Sequence, residues 1–294
     1  MKDIVPNLWF NDEAEEAVRY YTRLFDQSRI TSIQVLENTP SGDTTTINFE
    51  LSGQPFTAFS AGPLFKFNRS FSLMVQCSSD EEVDRVWTTL TEGGKELVPL
   101  REYPFSKRYG WLEDRYGLTW QILLSDKPVV QKIIPNFLFS DAVSGKAEDA
   151  VVYYTDLFPI SSIEEMQYYE AGEAENTDSK VKFSGFHLFG RQFYAMDNAK
   201  NENLSFNESF SLMVLCENQA EIDYYWDKLS FDPESEQCGW LKDQFGLSWQ
   251  IVPESMDDLL SNGTKEQINR VTQSFLTMKK LDIAELDRAW QEAE

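Results

Sequence analysis

The chain has 294 residues but only one histidine, His187, and three cysteines. One imidazole cannot build a two-histidine metal site within one chain. Cys77, Cys216 and Cys238 lie too far apart for a zinc motif, and widely spaced thiols fit a reducing compartment. Basic residues are also scarce: 26 Lys and Arg stand against 49 Asp and Glu, a formal net charge of −23. That balance argues against nucleic acid and anionic lipid as partners. No apolar run approaches the roughly 18 residues needed to span a bilayer. No signal-like segment precedes Ile4, and no glycine-rich strand-to-helix turn offers to cradle S-adenosylmethionine. Together these absences predict a cytoplasmic protein that binds neither membrane nor nucleic acid.

What is present occurs twice. Gly110-Trp111-Leu112-Glu113-Asp114-Arg115-Tyr116-Gly117-Leu118-Thr119-Trp120-Gln121-Ile122 returns as Gly239-Trp240-Leu241-Lys242-Asp243-Gln244-Phe245-Gly246-Leu247-Ser248-Trp249-Gln250-Ile251. Ile4-Val5-Pro6-Asn7-Leu8-Trp9-Phe10 matches Ile133-Ile134-Pro135-Asn136-Phe137-Leu138-Phe139, and Phe71 to Val75 matches Phe210 to Val214. Each copy has the size of a domain with its own core. The expected division is 1–127 and 132–255, joined through a short connector, with a tail at 256–294. A duplicated chain can act as a pseudo-dimer; further homodimerisation is left open.

Within the first copy, alternation and turn residues predict strands over 4–10, 30–36, 44–51 and 55–60, with a helix from about 13 to 25. The order then repeats. A strand over 71–77 precedes a helix that opens at Asp80 and closes at Gly93-Gly94, and strands follow near 97–103, 110–113 and 118–124. Each copy is thus two βαβββ modules. Apolar spacing from Ile268 to Trp290 predicts one or two amphipathic helices that pack on a domain or a partner chain.

The Pro-Asn-Leu-Trp-Phe opening, the Tyr-Tyr-Thr-x-Leu-Phe segments at 20–25 and 153–158 and the repeated Gly-Trp-Leu block resemble the PhnB-like branch of the vicinal oxygen chelate superfamily. That branch is also described as 3-demethylubiquinone-9 3-methyltransferase-like. The resemblance implies an α+β fold: two glyoxalase-like domains whose mixed sheets curl around a cavity. It also implies a divalent metal held by four side chains, mostly His and Glu. Here the implied positions fall near Asn7 and Asn136, near Ser70 or Phe71 and Ser209 or Phe210, and on Gln121 and Gln250. Amides and hydroxyls are poor ligands for a catalytic Zn²⁺ or Fe²⁺, so no metal or other cofactor is expected. Asp197 is the best isolated metal-ligand candidate; its plainer reading is an exposed turn carboxylate. His187 reads as a partly exposed strand residue.

If the family's inward face holds, Asn7, Trp9 and Gln121 line a first cavity, and Asn136, Leu138 and Gln250 a second. The set suits a small, partly apolar ligand held by amide hydrogen bonds, although rings could equally fill the space as core. The copies differ after the second helix of each. There the first copy carries a longer basic and aromatic segment with Arg101, Tyr103, Lys107 and Arg108, suited to an anionic group, so the ligand site is expected in the first copy. Three functions remain open: metal-free small-molecule binding, metal-independent catalysis by a lyase, transferase or drug-modifying enzyme, and a structural or self-association role with filled cavities.

Overall fold

The computed structural model describes residues 3–291. The first repeat gives β1 (Ile4–Phe10), α1 (Ala14–Leu24), β2 (Arg29–Thr39), β3 (Gly42–Leu51), β4 (Gln54–Ser60), β5 (Phe71–Cys77), α2 (Asp80–Thr91), β6 (Lys95–Tyr103), β7 (Ser106–Glu113) and β8 (Thr119–Leu124). The second gives β9 (Ile133–Phe139), α3 (Ala147–Leu157), β10 (Ser162–Tyr168), β11 (Val181–Leu188), β12 (Arg191–Asp197), β13 (Phe210–Cys216), α4 (Gln219–Leu229), β14 (Trp240–Lys242) and β15 (Ser248–Pro253). The tail forms α5 (Met256–Ser261), α6 (Lys265–Leu276) and α7 (Ile283–Gln291). Three helix starts, those of α2, α4 and α6, carry side-chain caps. Ser79 Oγ accepts from Glu82 N, Asn218 Oδ1 accepts from Glu221 N, and Thr264 and Gln267 form a reciprocal capping box.

Three modules have the expected βαβββ order; the fourth, β13-α4-β14-β15, lacks one strand because the short 230–239 connection of the second repeat has no counterpart of β6. The sheets, moreover, do not follow the repeats. One sheet has the order β14-β15-β13-β1-β4-β3-β2, the other β10-β11-β12-β9-β5-β8-β7-β6. Each joins one module of the first repeat to one module of the second. The compact units divide accordingly. Unit 1 holds the described residues up to Arg23, 27–66 and those from Asn207 on; unit 2 holds 24–26 and 67–206. The division into 1–127 and 132–255 is thus a division of sequence, not of sheets. The reason lies in the strands that open each module. β1 pairs antiparallel with β13, and β9 with β5. Both repeats carry the same apolar strand pattern, so alternation alone permits pairing within or between repeats.

In unit 1, α4 covers one sheet face with Ile222, Tyr225, Trp226 and Leu229. The tail is tied to the same unit. α5 and α6 pack on β2, where Leu36, Leu259, Leu260, Val271 and Leu286 form a buried cluster, and Asn48 donates to Asp257. In unit 2, α2 packs on β5, β7 and β8, and α3 on β10, β11 and β12. No helix among the described residues is long and apolar enough to cross a membrane.

Candidate functional site

The repeated Gly-Trp-Leu block is structural chemistry. Asp114, buried at the end of β7, accepts from Tyr116 N (2.9 Å), Leu118 N (3.1 Å) and Trp120 Nε1 (2.8 Å). Asp243 repeats this with Phe245 N (2.8 Å), Leu247 N (3.1 Å) and Trp249 Nε1 (2.8 Å). Gly117 and Gly246 adopt φ of +84° and +81° in the enclosed turn, a conformation costly for residues with a Cβ. The aspartate, the glycine and the second tryptophan of each block therefore hold a turn and a core, not a ligand.

Four central strands of each sheet bring four polar side chains together. In unit 1 they are Asn7, Thr57, Ser211 and Gln250, all buried. Asn7 Nδ2 donates to Thr57 Oγ1 at 2.5 Å, and Gln250 Nε2 to Ser211 Oγ at 2.9 Å. In unit 2 they are Asn136, Tyr194, Ser72 and Gln121, and Ser72 Oγ accepts from both Gln121 Nε2 (2.9 Å) and Asn136 Nδ2 (3.2 Å). The serines that join these sets lie two residues beyond the expected Ser70 and Ser209. The pairing of amides also differs from the expectation: Asn7 and Trp9 meet Gln250, and Asn136 meets Gln121. The cause is the exchange of modules between sheets, which takes each closing strand to the other repeat's opening strand.

Beside this polar centre, unit 1 contains a cavity of about 710 Å³. Trp9, Phe59, Phe65 and Trp240 give it an aromatic wall; Met213 and Val252 continue the apolar lining. Trp9 meets Phe65 and Trp240 edge-on at centroid distances of 5.1 and 6.1 Å, and its Nε1 donates to Gly62 O. The tail supplies a further wall through Met256, Leu260 and Phe275. Gln250, Thr57 and Thr46 are among the polar groups that line it, and Thr46 Oγ1 is buried without a hydrogen-bond partner. Cys238 also lines it; burial pushes its thiol up to about 11, so the sulfur stays protonated near neutral pH.

The matching face of unit 2 is filled. Tyr194 stands where unit 1 has Thr57, each paired with its repeat's asparagine. Phe183 replaces Thr46, one residue before the strand position that faces Ala58 or Ala195. Tyr109 replaces Cys238, each one residue before the Gly-Trp pair. Met74, Ile134 and Tyr194 form a buried cluster against which Tyr109, Leu123 and Phe183 pack. The Phe183 and Tyr194 rings lie 4.8 Å apart. Their polar ends are used: Tyr109 Oη donates to Gln121 Oε1 (2.6 Å), and Gln76 Nε2 donates to Tyr194 Oη (2.7 Å). Burial pushes the Tyr194 phenol up to about 12.

The remaining expected site residues lie elsewhere. Arg101, Tyr103 and Arg108 sit on the β6–β7 ribbon of unit 2, whereas the 710 Å³ cavity belongs to unit 1. Arg108 donates to Asp80 (3.3 Å) and to Asp84 on α2, so its charge is already neutralised. Arg101 lies over the Tyr103 ring at 5.0 Å, and Tyr103 stacks on Phe105. Asp197 is fully buried, not an exposed turn residue. It accepts from Ala147 N (3.2 Å), Lys180 N (3.0 Å) and Val181 N (2.8 Å), a task that fixes the start of α3. His187 is half-buried on β11 opposite Gln192. The sequence reading missed Asn68 and Asn207, which share one environment in the two repeats. Asn68 Nδ2 donates to Ser205 O, Asn207 Nδ2 to Lys66 O, and each Oδ1 caps the amide two residues on. They hold the chain where it passes from one unit to the other, and the matching Asn-x-Ser of the two repeats was the available signal.

The family model described as 3-demethylubiquinone-9 3-methyltransferase matches residues 2–123 and again 131–252. The chain belongs to that family, in tandem duplication. A PhnB protein from Bacillus cereus is 43% identical over 41% of this chain and 98% of its own, with a TM-score of 0.39. Glyoxalase I from Zea mays is similar in fold over 86% of this chain and 94% of its own, at 8% identity and a TM-score of 0.52. No curated protein matches the chain. The glyoxalase fold implies a metal at the four-strand centre, and the residues present do not fit one. Asn, Thr, Ser and Gln in unit 1, and Asn, Tyr, Ser and Gln in unit 2, offer neutral donors where a divalent transition metal needs imidazole, thiolate or carboxylate. The described residues hold no group of three or more His, Cys, Asp or Glu placed to bind one.

Proposed function

We propose that this protein binds a small, largely apolar molecule in the cavity of unit 1, without a metal. The observation that carries the reading is the contrast at three matched positions: Thr46, Thr57 and Cys238 leave open about 710 Å³, a size typical of small-molecule sites. Aromatic and aliphatic walls supply the affinity. Gln250 and the unpartnered Thr46 hydroxyl supply a few directed hydrogen bonds. The neutral donor set supports the metal-free part. The protonated Cys238 thiol gives no support to a nucleophilic mechanism.

Titration with the neutral fluorophore N-phenyl-1-naphthylamine tests the binding. Enhanced fluorescence that saturates is expected for the native chain and is lost in Thr46→Phe/Cys238→Tyr, which copies unit 2. Saturation unchanged in that variant refutes the site. Metal analysis of the purified protein tests the rest: stoichiometric Zn, Ni, Mn or Fe contradicts it.

A further inference from the structure

The lining of the unit 1 cavity is asymmetric in charge. Among the described residues it includes five carboxylates, Glu50, Glu208, Glu234, Glu254 and Asp257, and no Lys, Arg or His. Two are neutralised: Glu50 by Arg29 at 3.0 Å and Glu208 by Lys242 at 2.8 Å. Glu234, Glu254 and Asp257 are exposed at the rim, on the Pro233–Ser235 turn, just after β15 and on α5. Asp257 accepts a hydrogen bond from Asn48, and none of the three has an ion-pair partner among the described residues. Inside the rim stand Trp9, Phe59, Phe65 and Trp240. Aromatic faces present negative potential and attract cations, most of all those too weakly hydrated to resist leaving water. An apolar anion would face both the rim carboxylates and these rings, whereas an apolar cation gains from both.

We infer that the ligand of this cavity is an organic cation, an apolar body bearing a quaternary or protonated nitrogen or an equivalent onium charge. The inference rests on the small-molecule reading above and narrows it. It also reverses the expectation of an anionic ligand: that came from Arg101 and Arg108, which lie in unit 2.

The test uses two probes of nearly equal size and opposite charge, tetraphenylphosphonium and tetraphenylborate. Each is titrated by calorimetry against the full chain and competed against N-phenyl-1-naphthylamine. The cation is expected to bind and displace the neutral probe at concentrations at least roughly tenfold below the anion. Glu234→Gln/Glu254→Gln/Asp257→Asn should weaken the cation roughly tenfold while leaving the neutral probe's affinity unchanged. The exposed set Asp156→Asn/Glu170→Gln/Glu175→Gln in unit 2 controls for overall net charge and should change neither. Equal affinity for the two ions, preference for the anion, or the same loss in both triple variants overturns the inference. Neutral-probe binding with no cation preference sinks the charge assignment alone. Absence of binding by every probe sinks the small-molecule reading with it.

Discussion

Units 1 and 2 share seven equivalent strands, to which unit 2 adds β6 at one edge, yet one encloses a cavity and the other a packed cluster. The shared residues make the scaffold. Asp114 and Asp243 hold the same three donors, and Trp120 and Trp249 are both fully buried. The divergent residues decide the interior. Two phenols and a phenyl ring in unit 2 replace two threonines and a cysteine in unit 1. Tyr109 spends its hydroxyl on Gln121, whereas Cys238 offers Gln250 no such group, and Gln250 lines open space. One module from each repeat thus makes a packed interior in unit 2 and an open one in unit 1.

The strongest feature the two units share is the aspartate-held turn. Asp114→Ala and Asp243→Ala each strand a tryptophan N–H and two backbone amides, so each should cost about 4 kcal/mol in urea unfolding. A near-neutral result in either unit would show that the two blocks do not do the same task. Next in size is Tyr194→Thr, which gives unit 2 the residue of unit 1. Truncating this buried ring should cost about 2–3 kcal/mol and create a second site for N-phenyl-1-naphthylamine; one site as before would mean that unit 2 recloses. The converse change, Thr46→Phe/Cys238→Tyr, fills space already present. It should shift stability by no more than about 1 kcal/mol while abolishing probe binding.

The smallest effect is a pH dependence. Burial raises the Cys238 thiol from about 9 to about 11. The native alkylation rate with iodoacetamide should therefore climb through pH 9 to 11 instead of levelling near 9, and the neutral probe should slow it. Because the folded value is the higher, the thiol's contribution to stability is complete below pH 9 and is lost between 9 and 11. Alkylation that has levelled by pH 9 would place the thiol in water, outside the lining.

Much of this was legible in sequence. Strand and helix positions followed from alternation and from turn residues such as Gly93, and the family resemblance pointed to the amides of the polar centre, alike in both repeats. Two things were not. The exchange of modules between sheets leaves no trace in a pattern that β1, β5, β9 and β13 share, since each is largely apolar with one polar side chain at the matching inward position. For that reason Asn7 was matched with Gln121 in place of Gln250. The engagement of Arg108 was hidden too, because Asp80 and Asp84 reach it only once α2 lies on β7. The three substitutions that separate an open interior from a closed one were visible as letters, but their meaning depended on knowing which residues face inward together.

Unit 1 is open where unit 2 is closed. Soaking crystals with iodobenzene, whose iodine is located by anomalous scattering, tests it most directly. Iodine is expected between Trp9, Met213 and Gln250, with none between Met74, Tyr194 and Gln121. Iodine in both interiors, or in unit 2 alone, would contradict it.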